Sequence, residues 1–306
     1  MECFNPDSNI DFMGLRFWTA LFSVMVVLFA LFALGWKGLV WGLDFTGGLQ
    51  IEARYEAQQA NLPDIRARLY DAGFREAQVM NYGTSKNVLI SIGPHHLQNQ
   101  VTLAEQIIHL LPGAAMQRVD IVGPQVGKEL ATKGALAVLI SMIAILVYVA
   151  IRFEFRLAVS AVVALIHDPI LILGVFAFFG IEFDLKALAG LLAVIGYSLN
   201  DTIVVFDRVR ENFIKMRRST PLEIMNKAIN QTLSRTIMTS LLTLCVVLAL
   251  LIYGGETIFG FALALFIGIM IGTYSSIYVA GALAIVMGLN RQDFLPNAPK
   301  LVEDRP

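Results

Sequence analysis

"AGLLAVIGYSLNDTIVVFDRVREN", residues 189–212, is apolar enough up to Phe206 to cross a bilayer, yet it carries Asn200 and Asp201 side by side. The charged end of the stretch starts only at Asp207. A carboxylate at that depth costs about 2.5–3.5 kcal/mol on insertion scales. It has polar company in Tyr197, Ser198 and Thr202. Tyr197, Asn200, Asp201 and Val204 follow the i, i+3, i+4, i+7 spacing of one helix face. A carboxylate framed by Tyr and Asn at this depth points to a titrating site; a packing ion pair is the bland alternative.

The rest of the chain sets this stretch in a membrane. Of its 306 residues 57% are hydrophobic and 15% charged, and the mean hydropathy is +0.67. That is the composition of a polytopic membrane protein with one modest soluble part. Six apolar runs, at about 17–36, 134–151, 157–180, 187–207, 229–253 and 259–288, are long enough to span a hydrocarbon core. The first exceeds the length of a signal-peptide core and lacks a convincing A-x-A cleavage site, so it reads as a retained span. The domain plan is then an N-terminus at 1–16, a span at 17–36 and a soluble segment at 37–133. Five spans over 134–288 and a polar tail at 289–306 complete it.

Basic residues orient the plan. The link 208–228 holds Arg208, Arg210, Lys215, Arg217, Arg218 and Lys227, and "RFEFR" holds Arg152 and Arg156, whereas "IEFDLK" and "GGET" are poor in base. The basic links and both termini are expected in the cytoplasm, and residues 37–133 outside.

A second charge arrives in the next span. Arg235, in "NQTLSRTIMTS" (230–240), falls at a depth similar to Asp201, on the order of 10 Å inside the cytoplasmic face. An antiparallel pair of helices brings the two charges together or around one water-filled cavity; a snorkelling arginine is the alternative. In the third run, "ALIHDPI", His167 and Asp168 lie near the midplane before Pro169, which is expected to kink the span. This pair either extends a proton path or fixes helix packing around the kink.

The soluble segment alternates between strand and helix patterns. "LQIEARYE", "AQVMNYG", "NVLISIG" and "AAMQRVDIVG" read as strands, with a turn at Gly83–Lys86. "LPDIRARLYDAG" and "LQNQVTLAEQIIHLLPG" read as helices. The order βαββαβ predicts an external α+β domain of ferredoxin-like arrangement. Small residues (Gly190, Ala193 and Gly196; Gly260, Gly268 and Gly272) favour close helix contacts.

Other chemistry finds no support in the residues. Cys3 and Cys245 cannot form a disulfide framework, and Cys3 lacks a lipid-anchor context. His95 and His96 stand side by side without metal-ligand spacing, "DFTGGLQ" is not a P-loop, and no hydrolase constellation occurs. No enzyme, metal, cofactor or nucleic-acid partner is expected. The lipid bilayer is the partner that composition requires.

Five strings carry a family resemblance: "GLDFTGG" (42–48), "VGPQVGKEL" (122–130), "ALIHD" (164–168), "GYSLNDTIVVFDRVREN" (196–212) and "NQTLSRTIMTS" (230–240). In this order, around six spans, they resemble the SecF family, the smaller integral subunit of the SecDF protein-export complex. The layout is also similar to half of a resistance–nodulation–division transporter. The resemblance implies a subunit of the bacterial inner membrane that pairs with SecD beside the SecYEG translocon. It implies use of the proton-motive force to draw unfolded polypeptide outward, with YajC and YidC as further candidate partners. It matches Asp201 and Arg235 to proton conduction, with Tyr197, Asn200, His167 and Asp168 as candidate accessory groups. It matches Asp44, Phe45, Thr46, Gly47 and Gly48 to the motif at the base of the external domain. Gly47–Gly48 reads there as a hinge or as a tight structural turn. The family's second membrane carboxylate belongs to SecD. The competing readings are a non-conducting scaffold for SecD and the translocon, and a small-molecule efflux pump.

Overall fold

A computed structural model describes residues 10–55, 59–75, 77–82, 84–93 and 100–294. Cys3, Gly83, His95, His96 and the tail from 295 onward lie outside the described residues.

The first element among the described residues is a short 3-10 turn, Met13–Leu15, leading into helix α1, Arg16–Trp36. A brief strand β1, Val40–Trp41, and a one-turn helix α2, Leu43–Thr46, connect it to the α+β domain. The domain runs β2 (Gly48–Tyr55), α3 (Leu62–Asp71), β3 (Gln78–Tyr82), β4 (Thr84–Ile92), α4 (Gln100–His109) and β5 (Ala114–Val122). Its antiparallel sheet has the order β3-β4-β2-β5. That is the split βαβ arrangement, with each outer strand reached through a helix or hairpin. The alternation of β2 explains its core: Leu49, Ile51, Ala53 and Tyr55 are buried, and Leu49, Ile51 and Tyr55 pack with Ile65, Leu69 and Ile107 of the two helices.

Helix α5, Pro124–Arg152, follows at once and carries the second span. Its first ten residues precede position 134, so it rises as a stalk of about 15 Å from the apolar run into the base of the domain. Gly123 at the N-cap and Pro124 in the first turn fix that start. Helix α6, Phe155–Phe179, stays a single helix through Pro169 and is stopped by Gly180 in the left-handed region. A two-residue strand β6, Glu182–Phe183, pairs in parallel with β1. Helix α7, Leu185–Lys215, and helix α8, Pro221–Tyr253, form a long hairpin. Most of the basic link at 208–228 is therefore helical, with only 216–220 outside the two helices. Thr220 and Glu223 make a capping box at the start of α8.

The last span is α9 (Phe259–Ser275), a π-helical turn (Ser276–Ala280) and α10 (Gly281–Val286). Among the described residues six helices are thus long and apolar enough to cross a membrane. Helices α6, α7 and α9 are the most enclosed, while α1, α5 and α8 leave most of their surface outward. Small residues set the α7–α9 contact. A β-carbon on Gly190 would meet Phe261 and Ala264, one on Gly268 would meet Val194, and one on Gly272 would meet Ser198. Gly196 and Ala193 are exposed and take no part in it.

The expected turn at Gly83–Lys86 is shorter than its sequence suggests. Strand β4 already begins at Thr84, which is opposite Tyr82. The exposed residues Thr84, Ser85 and Lys86 suit the open end of a strand as well as a turn.

Candidate functional site

The α7–α8 hairpin places its two charged residues level. Asp201 lies 14 residues before the end of α7 at Lys215, and Arg235 lies 14 residues after the start of α8 at Pro221. Each is about 21 Å along its helix from the shared turn. Asp201 is buried, at 2% exposure, and its Oδ2 has no hydrogen-bond partner. Arg235 is exposed and acts on Asp201 electrostatically, but the two form no direct ion pair. The sequence suggested a facing pair or a shared cavity; the geometry is a level pair without contact.

Tyr197 and Asn200 part company. The Tyr197 hydroxyl donates to Ser240 Oγ of α8 at 3.3 Å, and Ser240 shares a hydrogen bond with Thr273 Oγ1 of α9 at 2.8 Å. Asn200 is exposed on the same outward side of α7 as Ala193 and Gly196. Arg235 of α8 is exposed as well, so the rest of the described chain leaves all four positions uncovered.

His167 and Asp168 belong to a separate buried cluster. His167 Nδ1 lies 2.9 Å from Asp168 Oδ1. Asp168 Oδ2 accepts from Ser198 Oγ of α7 and, at 2.9 Å, from Ser275 Oγ of α9. Asp168 is 1% exposed, so this carboxylate ties the three central helices where no water competes. Ser198 stands one turn before Asp201 on α7, and Thr202 bonds back to its carbonyl. The role of Ser275 was not read from the sequence. The adjoining π turn, a device common at functional positions, has no sequence signature of its own here.

The Asp44–Gly48 motif sits where the α+β domain meets the bundle. Asp44 Oδ2 accepts from the backbone N–H of Leu185, the first residue of α7, at 3.1 Å. Phe45 stacks on Phe183 with ring centroids 6.2 Å apart. Thr46 closes the turn onto the Gly42 carbonyl at 3.2 Å. Gly47, at φ 66°, would bring a β-carbon within 2.9 Å of Pro124, and Gly48, at φ 131°, within 2.2 Å of the Ile92 carbonyl oxygen. Both positions admit only glycine. Glu182 completes the seam, accepting from Gln50 Nε2 at 3.1 Å and from Leu43 N at 3.3 Å. Burial raises the Glu182 carboxyl above its ordinary range, with the neighbouring carboxylates of Asp184 and Asp44 adding to the rise. Nothing local in the chain pointed to Glu182, because its partners lie more than 100 positions away.

Among the described residues no group of three His, Cys, Asp or Glu is arranged to hold a metal ion.

Known proteins match this arrangement along nearly the whole chain. Residues 103–290 match the family model for the protein export membrane protein SecD/SecF, C-terminal, and residues 32–59 match the SecD/SecF GG motif. The protein translocase subunit SecF of Vibrio alginolyticus is 50% identical over 300 residues, covering 96% of this chain and 95% of that protein. That of Pseudomonas aeruginosa is 45% identical, covering 97% and 98%. In three dimensions the chain is similar to SecDF of Thermus thermophilus, described as a translocon-associated membrane protein, at a TM-score of 0.85 and 36% identity. The match covers 93% of this chain and 39% of that one, so the chain spans well under half of the SecDF polypeptide. The chain belongs to the SecF family of protein translocase subunits.

Proposed function

We infer that this protein is the SecF half of a proton-driven export unit. It would lie in the bacterial inner membrane with both termini in the cytoplasm and the α+β domain outside. It catalyses no reaction of its own; it couples proton movement to the outward passage of unfolded polypeptide. The observation that carries this reading is Asp201: a buried carboxylate with an unpartnered oxygen, level with an arginine on the next helix.

Burial and a nearby guanidinium act in opposite directions on a carboxyl group, so a small change in their balance lets it take and release a proton. A charge crossing 100 mV supplies about 2.3 kcal/mol, enough to bias a conformational equilibrium. The uncovered positions Ala193, Gly196, Asn200 and Arg235 support a second subunit that completes the path, and SecD is the partner this reading assigns to it. SecYEG, with YajC and YidC, would supply the translocon beside them. The basic residues around the α7–α8 turn support the orientation.

The test is export of a polypeptide into inverted vesicles carrying this chain with SecD, against vesicles with SecD alone. A gain that vanishes when a protonophore collapses the gradient supports the reading. A gain that survives collapse favours a scaffold, and no gain contradicts both.

A further inference from the structure

The α+β domain and the helix bearing Asp201 meet at one small seam. Strand β1 pairs with β6, Val40 beside Glu182 and Trp41 beside Phe183, immediately before α7 begins. Gly42 N donates to the Phe183 carbonyl at 2.9 Å. Glu182 gathers Leu43 N and Gln50 Nε2, the latter from the second turn of pleat in β2. All of these contacts stop at the link before the helix. Among the described residues, the hydrogen bond from Leu185 N to Asp44 Oδ2 is the only one by which a side chain at the base of the domain holds α7 itself.

The first N–H groups of a helix have no partner within it. Here two carboxylates share that end: Asp184 takes Ala187 N at 2.7 Å and Asp44 takes Leu185 N at 3.1 Å. A negative group at this position is also favoured by the helix dipole. Asp44 in turn cannot move apart from the domain. Two residues after it Thr46 is bonded to Gly42, and Gly47 and Gly48 are pressed against Pro124 of α5 and the Ile92 carbonyl of β4. Gly127 closes the other side, since a β-carbon there would come within 2.7 Å of Gly47 N.

We propose that Asp44 is a positioning residue that fastens α7 to the α+β domain, and that Gly47 and Gly48 are a clamp rather than a hinge. A displacement of α7 at Asp201 then moves the start of β2, and the sheet with it, as one body. This deepens the proton-coupled reading and rests on it for the source of the displacement.

The experiment is a spin-label distance between residue 116 on β5 and residue 253 at the end of α8, both exposed, in the complex with SecD in liposomes. The neutral substitution Asp201→Asn provides the perturbation. It is measured with Asp44 intact and in three variants. Asp44→Asn keeps an acceptor oxygen for Leu185 N. Asp44→Ala removes it. Leu185→Pro removes the donor at the first helical position, where proline is tolerated and Asp184 is already extended (φ −102°, ψ −177°). The expected result is a shift in distance on Asp201→Asn with Asp44 or Asp44→Asn, and loss of that shift with Asp44→Ala and with Leu185→Pro. Equal shifts in all four backgrounds, or an Asp44→Asn that behaves as Asp44→Ala, overturn the proposal. So does the absence of any shift with Asp44 intact. None of these outcomes depends on export, which is read separately by the protonophore assay. If Asp44→Ala fails to assemble with SecD, Leu185→Pro alone decides.

Discussion

The hydroxyl of Ser198 donates to Oδ2 of Asp168, joining α7 to α6 one helical turn from Asp201. With Ser275 of α9 on the same oxygen, the carboxylate fixes the relative height of the three helices at the centre of the bundle. The level of Asp201 is therefore set by a neighbour that does not touch it. The first prediction concerns this bond. Ser198→Ala leaves Asp168 with one donor fewer in a dry site, which costs about 1–3 kcal/mol. Thermal unfolding in detergent should show a lower midpoint, and Ser275→Ala should do the same. A midpoint unchanged in both would mean that Asp168 does not hold the helices.

Glu182 gives the domain seam a pH dependence with a defined sign. Its folded carboxyl is raised from 4.5, mainly by burial, and Asp184 is raised for the same leading reason. At these two carboxyls the folded state therefore binds more protons than the unfolded chain, and their contribution to stability falls as pH rises through the raised values. Heating from about pH 4.5 to about pH 7.5 should show a declining midpoint that Glu182→Gln flattens. A rise with pH, or a slope untouched by Glu182→Gln, would contradict the assignment.

Much of this was legible in the sequence, for physical reasons that differ by element. The six spans and the βαββαβ order come from apolar length and local alternation, which residues i to i+4 carry. Asp201 stood out because a carboxylate in an apolar run is costly wherever its partners are. The stalk of α5 was not legible: Pro124–Lys133 is polar, and only the docking of Gly127 on Gly47 shows why it stays helical there. Asp44 read only as part of the motif at the base of the external domain, since its partner Leu185 is 141 positions away. Separation along the chain likewise hides Ser275 from Asp168, 107 positions apart.

Topology provides a third prediction. In a variant without the native cysteines, a cysteine at position 85 or 256 should react with a membrane-impermeant thiol reagent added to intact cells, and one at 217 should not. The basis is the concentration of Arg and Lys around the α7–α8 turn. Labelling at 217 with protection at 85 would invert the protein in the membrane.

Arg235 is expected to act with Asp201 rather than beside it. Arg235→Ala should remove gradient-dependent export, and Arg235→Lys, which keeps the charge without the guanidinium fork, should retain part of it. Asp201→Asn combined with Arg235→Ala should be no worse than either alone, because losses within one unit do not add. Normal export by Arg235→Ala would make Arg235 an interfacial anchor. Partial losses that multiply in the double variant would show two independent roles.

The most direct measurement is gradient-dependent export in inverted vesicles carrying SecD and either this chain or its Asp201→Asn variant. The substitution is nearly isosteric and removes one titratable group from a buried site. The account predicts that the variant inserts, binds SecD and exports only at the level seen when the gradient is collapsed. Export by Asp201→Asn that still responds fully to the gradient would contradict it.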